Sequence, residues 1–178
     1  MTRIIKTSED AIALLHSLSA PPRLIQHHCL VLEAACELVE GLMQSFPQFI
    51  FNAQTVFIGV ALHDSGKVLH HNEISGSGNQ HERGGEQMLL SLGVSPEIAR
   101  FCRTHAQWKS DDAVVEDWLV ALADSLWKGD RNEQLETIII KAIAQQIDKD
   151  YWDIFITVDS LFEAVADRAD EQLSRSLV

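Results

Sequence analysis

One long helical pattern does most to restrict how this chain can fold. Leu24, Val31, Leu32, Ala35, Leu38, Val39 and Leu42 all fall in phase with a repeat of three to four residues. That spacing lays them along one face of an α-helix. Pro21-Pro22 precedes the pattern and Ser45-Phe46-Pro47 closes it, as expected of a residue that suits the first helical turn but not the interior. The remaining patterns are also helical. Thr7 to Asp10 reads as a capped start, with the helix ending at Ala20-Pro21-Pro22. Asn52 caps a third helix running into His63-Asp64. His81-Glu82-Arg83-Gly84-Gly85 opens a fourth, stopped by Gly93. Ser95-Pro96-Glu97 starts a fifth, with Ile98, Phe101, Cys102 and His105 on its stripe. Further helices are predicted at about 112–128, at 135–147, and from Tyr151 into the polar tail near 168–175. No stretch alternates with the period of a strand. The expected fold is therefore all-α, a single-domain bundle of about seven to eight helices over 1–178. Its core would lie at about 22–130, with C-terminal helices at 133–175 packed on it.

A chain of 178 residues that is 46% hydrophobic can fill one core and is short for two. No apolar run approaches the roughly 20 residues of a membrane span, and Met1 to Lys6 lacks the apolar centre of a secretory signal. Cys29, Cys36 and Cys102 are odd in number and sit in apolar helical stretches. They read as small buried hydrophobes of a cytoplasmic, reducing environment. With 14 basic against 26 acidic residues, the net charge is −12. Such a surface repels polyanion backbones and argues against a nucleic-acid scaffold. A small phosphate could still bind where divalent metals reverse the local sign.

The chemistry begins where the run Val56-Phe57-Ile58-Gly59-Val60-Ala61-Leu62 ends in His63-Asp64-Ser65-Gly66-Lys67. Adjacent helical residues point about 100° apart, so both side chains can lean towards one object beyond the helix end. Imidazole and carboxylate together ligate first-row transition metals. Taken alone, the pair is ordinary helix-end polarity. Other polar residues, however, interrupt apolar faces elsewhere. His28 is in phase with the Leu24–Leu42 stripe, His81 opens a helix with Gly85 one turn later leaving room beside it, and His105 continues the Phe101 stripe. Asp124 follows the apolar run Trp118 to Ala123, where an unpaired ionised carboxylate is strongly disfavoured. Divalent ions shared by His28, His63, Asp64, His81, His105 and Asp124 would account for all six at once. Independent structural roles would need six separate partners.

The polar loop at about 65–80 is long enough to suggest function and carries His70, His71 and Glu73. His70 and His71 could donate a proton to a leaving group but read by default as exposed. Trp108 reads as packing. Arg83, Lys128 and Arg131 are candidate phosphate contacts, with a solvated helix face as the default. His16 and His27 read as structural or surface residues.

The order His28, His63-Asp64 with Gly66-Lys67, His81 with Gly85, His105 and Ala123-Asp124 resembles the HD-domain superfamily of metal-dependent phosphohydrolases. The resemblance spans residues 28–124 and is closest from Leu62 to His105. It implies that Asp64 bridges two metals, with His28, His63 and Asp124 completing one site and His81 and His105 the other. Simpler members keep one metal; the presence of His81 and His105 favours two. Lys67 would contact a substrate phosphate. Histidine-rich ligation favours Fe, Mn, Co, Ni or Zn over Mg. The implied activity is hydrolysis of a nucleotide or another small phosphorylated metabolite. Two rivals remain open: a di-iron oxygenase of the same fold, and a nucleotide-sensing module without turnover.

Overall fold

Side-chain caps set several of the helix starts. Thr7 accepts from the Asp10 amide at 3.2 Å while the Asp10 carboxylate takes the Thr7 N–H at 3.2 Å, a reciprocal capping box that begins α1 (Ser8–Ser17). Proline rather than a side-chain cap begins α2 (Pro22–Ser45), and Asn52 accepts from the Thr55 amide to begin α3 (Ala53–Leu62). The structure is a computed structural model and describes residues 4–176. It continues with α4 (Gln80–Ser91), α5 (Pro96–Ala99), α6 (Phe101–Thr104), α7 (Val115–Leu126), α8 (Glu133–Gln146), α9 (Tyr151–Ala166) and α10 (Ala169–Ser176). Among the described residues there is no strand, and eight of the ten α-helices are eight residues or longer. The all-α expectation is met.

The central packing is α2 against α3 and both against α7. α1 covers α3, α5 and α6 also pack on α3, and α4 packs on those two and on the turn that follows α3; α8 and α9 close the other side against α7 and α2. One apolar cluster runs through these helices from Ala11 to Ala166, and Leu14, Leu38, Val60, Leu122, Ile143 and Val158 are fully buried in it. No helix among the described residues is long and apolar enough to cross a membrane.

Several boundaries differ from the sequence expectation. The stretch from Pro96 forms two four-residue helices joined at Arg100 rather than one. α7 begins at Val115, because the Asp117 carboxylate accepts from the Val114 amide at 2.9 Å and caps it there. The tail breaks after Ala166, letting α10 fold back on α2 through Arg168–Glu37 and Arg175–Glu33 ion pairs. Cys29 and Cys36 are exposed, correcting their reading as buried; only Cys102 is buried. Both lie on α2 at positions outside its apolar stripe.

Two 3₁₀ turns, Ser65–Val68 and His71–Glu73, occupy the polar loop. The first lies against α4 with almost no separation between backbones. A methyl group at Gly66 would sit 2.7 Å from the Gly85 nitrogen, and one at Gly85 would sit 2.8 Å from the Gly66 nitrogen. Only two facing glycines permit this approach. Gly85 therefore makes room for the Gly66 backbone, which carries Asp64 to within reach of His81.

Candidate metal centre

Five elements converge at the C-terminal end of α3. His63 ends that helix and Asp64 starts the following turn. α2 contributes His27, α4 contributes His81 in its first turn, the end of α6 contributes His105, and α7 contributes Asp124. Their potential ligand atoms form two groups, His27–His63–Asp124 and Asp64–His81–His105, each with its atoms within 4.8 Å of one another.

Asp64 joins the groups. Its Oδ2 lies 3.2 Å from His27 Nε2 and 3.7 Å from His63 Nε2, while its Oδ1 lies 3.1 Å from His81 Nε2 and 3.6 Å from His105 Nε2. Asp124 Oδ1 lies 3.4 Å from His63 Nε2 and 3.7 Å from His27 Nε2. One carboxylate thus turns an oxygen towards each group.

The outer hydrogen bonds decide which ring nitrogens face inward. His63 Nδ1 donates to the Val60 carbonyl at 2.8 Å, and His105 Nδ1 to the Phe101 carbonyl at 3.1 Å. His81 Nδ1 lies 2.6 Å from Glu73 Oε2. With the proton held on Nδ1, each neutral imidazole presents a bare Nε2 to the centre, the orientation expected of a histidine ligand. Glu73 is buried and also accepts from the His81 and Gln80 amides at 3.0 and 3.2 Å. It both caps α4 and orients His81, a role the sequence showed only as an acid in a polar loop.

His105 is supported from the opposite side. Asp117 is fully buried, accepts from Thr104 Oγ1 at 2.6 Å and pairs with Arg100, tying the end of α6 to the start of α7.

Lone pairs therefore face lone pairs. Asp64 Oδ1 is buried with no donor among the described residues, although His81 and His105 Nε2 are close by. Bare nitrogens and a carboxylate oxygen converging within 3.1–3.6 Å repel one another unless a cation or extra protons lie between them. The ligand set fits divalent transition metals.

Titration behaviour follows the same crowding. Burial pulls the His63 imidazole down, but Asp64 and Asp124 outweigh it and hold it above its ordinary value. Burial likewise pulls His81 down, but the nearby Asp64 carboxylate and the hydrogen bond to Glu73 hold it above its ordinary value. For His105, burial first and the His63 charge second push the pKa down to about 4. Burial would raise both Asp64 and Asp124; the imidazoles, His63 foremost, overcome it and hold both carboxyls well below the usual range.

The structure leaves one proposed ligand, His28, outside both groups. His28 is fully buried, its Nδ1 bonds to the Val60 carbonyl at 3.0 Å, and its Nε2 meets no partner among the described residues. His27 stands where His28 was expected. Phase with the apolar stripe identified the residue at the centre of the core face. A side chain on a cleft wall belongs at the edge of that face, and His27 is half-buried there.

A cleft of about 450 Å³ opens over the centre, lined by His27, Asp64, His81, His105 and Asp124, with Lys67 and Lys128 among them. Lys67 Nζ pairs with Asp64 Oδ2. The other candidate contacts lie elsewhere. Arg131 is held by Glu136 at 2.8 and 2.9 Å and by Asp159 at 2.6 Å beside a separate cleft. Arg83 is exposed on α4 outside the cleft. His70 packs against Gly84, and His71 is exposed. Trp108 packs on the core, and its carbonyl accepts from Trp118 Nε1 at 3.1 Å. Arg23 and Trp127 do line the cleft, and no motif in the sequence marks them for it. A scan against protein-family models and searches of characterised proteins and of solved structures give no match to this chain.

Proposed function

We propose that this protein is a metal-dependent phosphohydrolase of the HD-domain type, acting on a nucleotide or another small phosphorylated metabolite. The observation that carries the reading is Asp64. It turns one oxygen to each of two histidine-containing groups, and one of those oxygens has no donor. In this reading His27, His63 and Asp124 would hold one divalent ion, His81 and His105 another, and Asp64 would contribute to both. Fe, Mn, Co, Ni or Zn suits these ligands better than Mg. Ions bound there would supply Lewis-acid polarisation of a phosphoryl oxygen and a water acidic enough to attack near neutral pH.

The chain's own residues supply the rest. Lys67, at the inner wall beside Asp64, neutralises charge on a phosphate oxygen. His63 is shut away from solvent behind the cleft, and Val60 and Glu73 keep the imidazoles turned inward. Arg23, Lys67 and Lys128 line the cleft in a chain of net charge −12 and suit an anionic substrate; hydrolysis, unlike oxygenation, requires no oxygen. Exposed free Cys29 and Cys36 suit the reducing cytoplasm in which we place the protein.

The test is metal analysis of protein purified without added metal, paired with phosphate release from a substrate panel under air and under anaerobic conditions. We expect bound transition metal, oxygen-independent release, and simultaneous loss of metal and activity in Asp64→Ala. A wild type that neither carries nor takes up metal sinks the reading.

A further inference from the structure

Most arginines of this acidic chain are already paired. Arg100 is engaged by Asp117, Arg103 by Glu86, Arg131 by Glu136, Arg168 by Glu37 and Arg175 by Glu33. Arg23 is different. Its guanidinium donates to the neutral Ser75 hydroxyl at 3.2 Å, and it meets no carboxylate among the described residues. Arg83 also lacks an acidic partner, but it faces solvent away from the cleft. Lys128 lines the cleft as Arg23 does, and its one acidic neighbour, Asp130, is 3.8 Å away and 71% exposed. Lys109, Lys141 and Lys149 also meet no carboxylate among the described residues; Arg23 and Lys128 differ from them in lining the cleft over the centre.

Arg23 precedes His27 by one helical turn on the same face of α2, about 6 Å along the axis. The Trp127 ring packs edge-on against the His27 ring at 5.1 Å, bringing the end of α7 alongside the first turns of α2. Lys128 follows Trp127 directly. Arg23 and Lys128 therefore flank the His27 side of the centre, beyond the ligand atoms. Lys67, by contrast, is bound up with Asp64. The cleft volume of about 450 Å³ lies in the range of sites that enclose a whole small molecule, leaving space beyond a single phosphate at the centre.

We propose that Arg23 and Lys128 form a second anion subsite, which takes the distal phosphate of a substrate bearing two phosphate groups. Guanidinium offers two parallel N–H donors to phosphate oxygens, and the ammonium adds a point charge. The inference rests on the phosphohydrolase reading and narrows its substrate class to small organic bisphosphates. The reacting phosphate lies at the metal centre, and the other is held by the rim.

The test is equilibrium binding to the metal-loaded protein at constant ionic strength, with metal content measured after each titration. The probes are methyl phosphate and a series of α,ω-alkane bisphosphates of increasing spacer length. At one preferred spacer, the wild type should bind the bisphosphate about tenfold more tightly than methyl phosphate. The double variant Arg23→Ala/Lys128→Ala should lose that preference while binding methyl phosphate unchanged, and Arg83→Ala should keep it. Equal binding of both probes by the wild type, or a preference that survives in the double variant, overturns the subsite. Phosphate release is measured in parallel. A spacer preference lost in the double variant but without release would leave the subsite standing and remove the turnover reading. Failure of every phosphate probe to bind removes both.

Discussion

At the scale of single residues, His27 and His28 show how one position changes a role. They are neighbours on α2, about 100° apart around the helix. His28 faces the core, where burial first, then the nearby His63 and His27, hold its imidazole well below its ordinary pKa and keep it neutral. His27 faces the cleft and reaches Asp64 and Asp124. The two alanine variants should therefore separate metal binding from stability. His27→Ala should lose one of two bound metals and retain most of its stability. His28→Ala should keep its metal stoichiometry but lose about 1–3 kcal/mol on denaturant unfolding, through the cavity left in the core. Metal analysis and a denaturant titration on both proteins decide it; loss of metal from His28→Ala alone would reverse the assignment. The sequence showed a histidine pair on a strong helix but could not choose between its members. Periodicity reports distance from the middle of the core, whereas a side chain on a cleft wall sits where core meets cleft.

Among secondary-structure elements, the most demanding contact is the 3₁₀ turn at Ser65–Val68 against α4. Gly66 and Gly85 meet there backbone to backbone, and the contact sets how far Asp64 stands from His81. In Gly85→Ala the new methyl would lie 2.8 Å from the Gly66 nitrogen and 3.0 Å from Cys102 Sγ, and relieving it requires the turn and the helix to part. We expect a loss of about 1–3 kcal/mol by denaturant unfolding together with weakened metal binding at the His81–His105 group. Gly84→Ala is the control. Its methyl would meet the movable end of the His70 side chain at 2.8 Å, so metal binding should be retained. Equal effects of the two substitutions would show that the glycines matter only for helix propensity. Both glycines were visible in the sequence as partners of His63-Asp64 and His81. That they face each other was not, because 18 residues of loop and helix lie between them and no local pattern records which backbones approach.

For the molecule as a whole, the centre gathers charge that the chain otherwise disperses. His63 and His81 are held above the ordinary histidine value by the carboxylates around them. A metal can take their nitrogens only when they are unprotonated, so proton and metal compete for the same atoms. Proton activity falls as pH rises; metal affinity should therefore climb through the ordinary histidine pKa of about 6.5 and above it. Loading near pH 7 should release protons, and His105, already neutral there with its pKa near 4, should contribute none. Calorimetry in buffers of different ionisation enthalpy measures the release, and affinity that falls with rising pH would refute the competition. The sequence by itself determined the helices, their main caps and breaks, and the polar residues that interrupt apolar faces. These are local matters, decided within a few residues by hydrogen-bond geometry and by the 3.6-residue repeat. Tertiary structure alone decided that His27 rather than His28 faces Asp64, and that Glu73 orients His81. It also decided that Arg23 joins the cleft while Arg131 is held elsewhere by Glu136. Each depends on which faces of distant helices meet, and that is settled by packing the whole core at once.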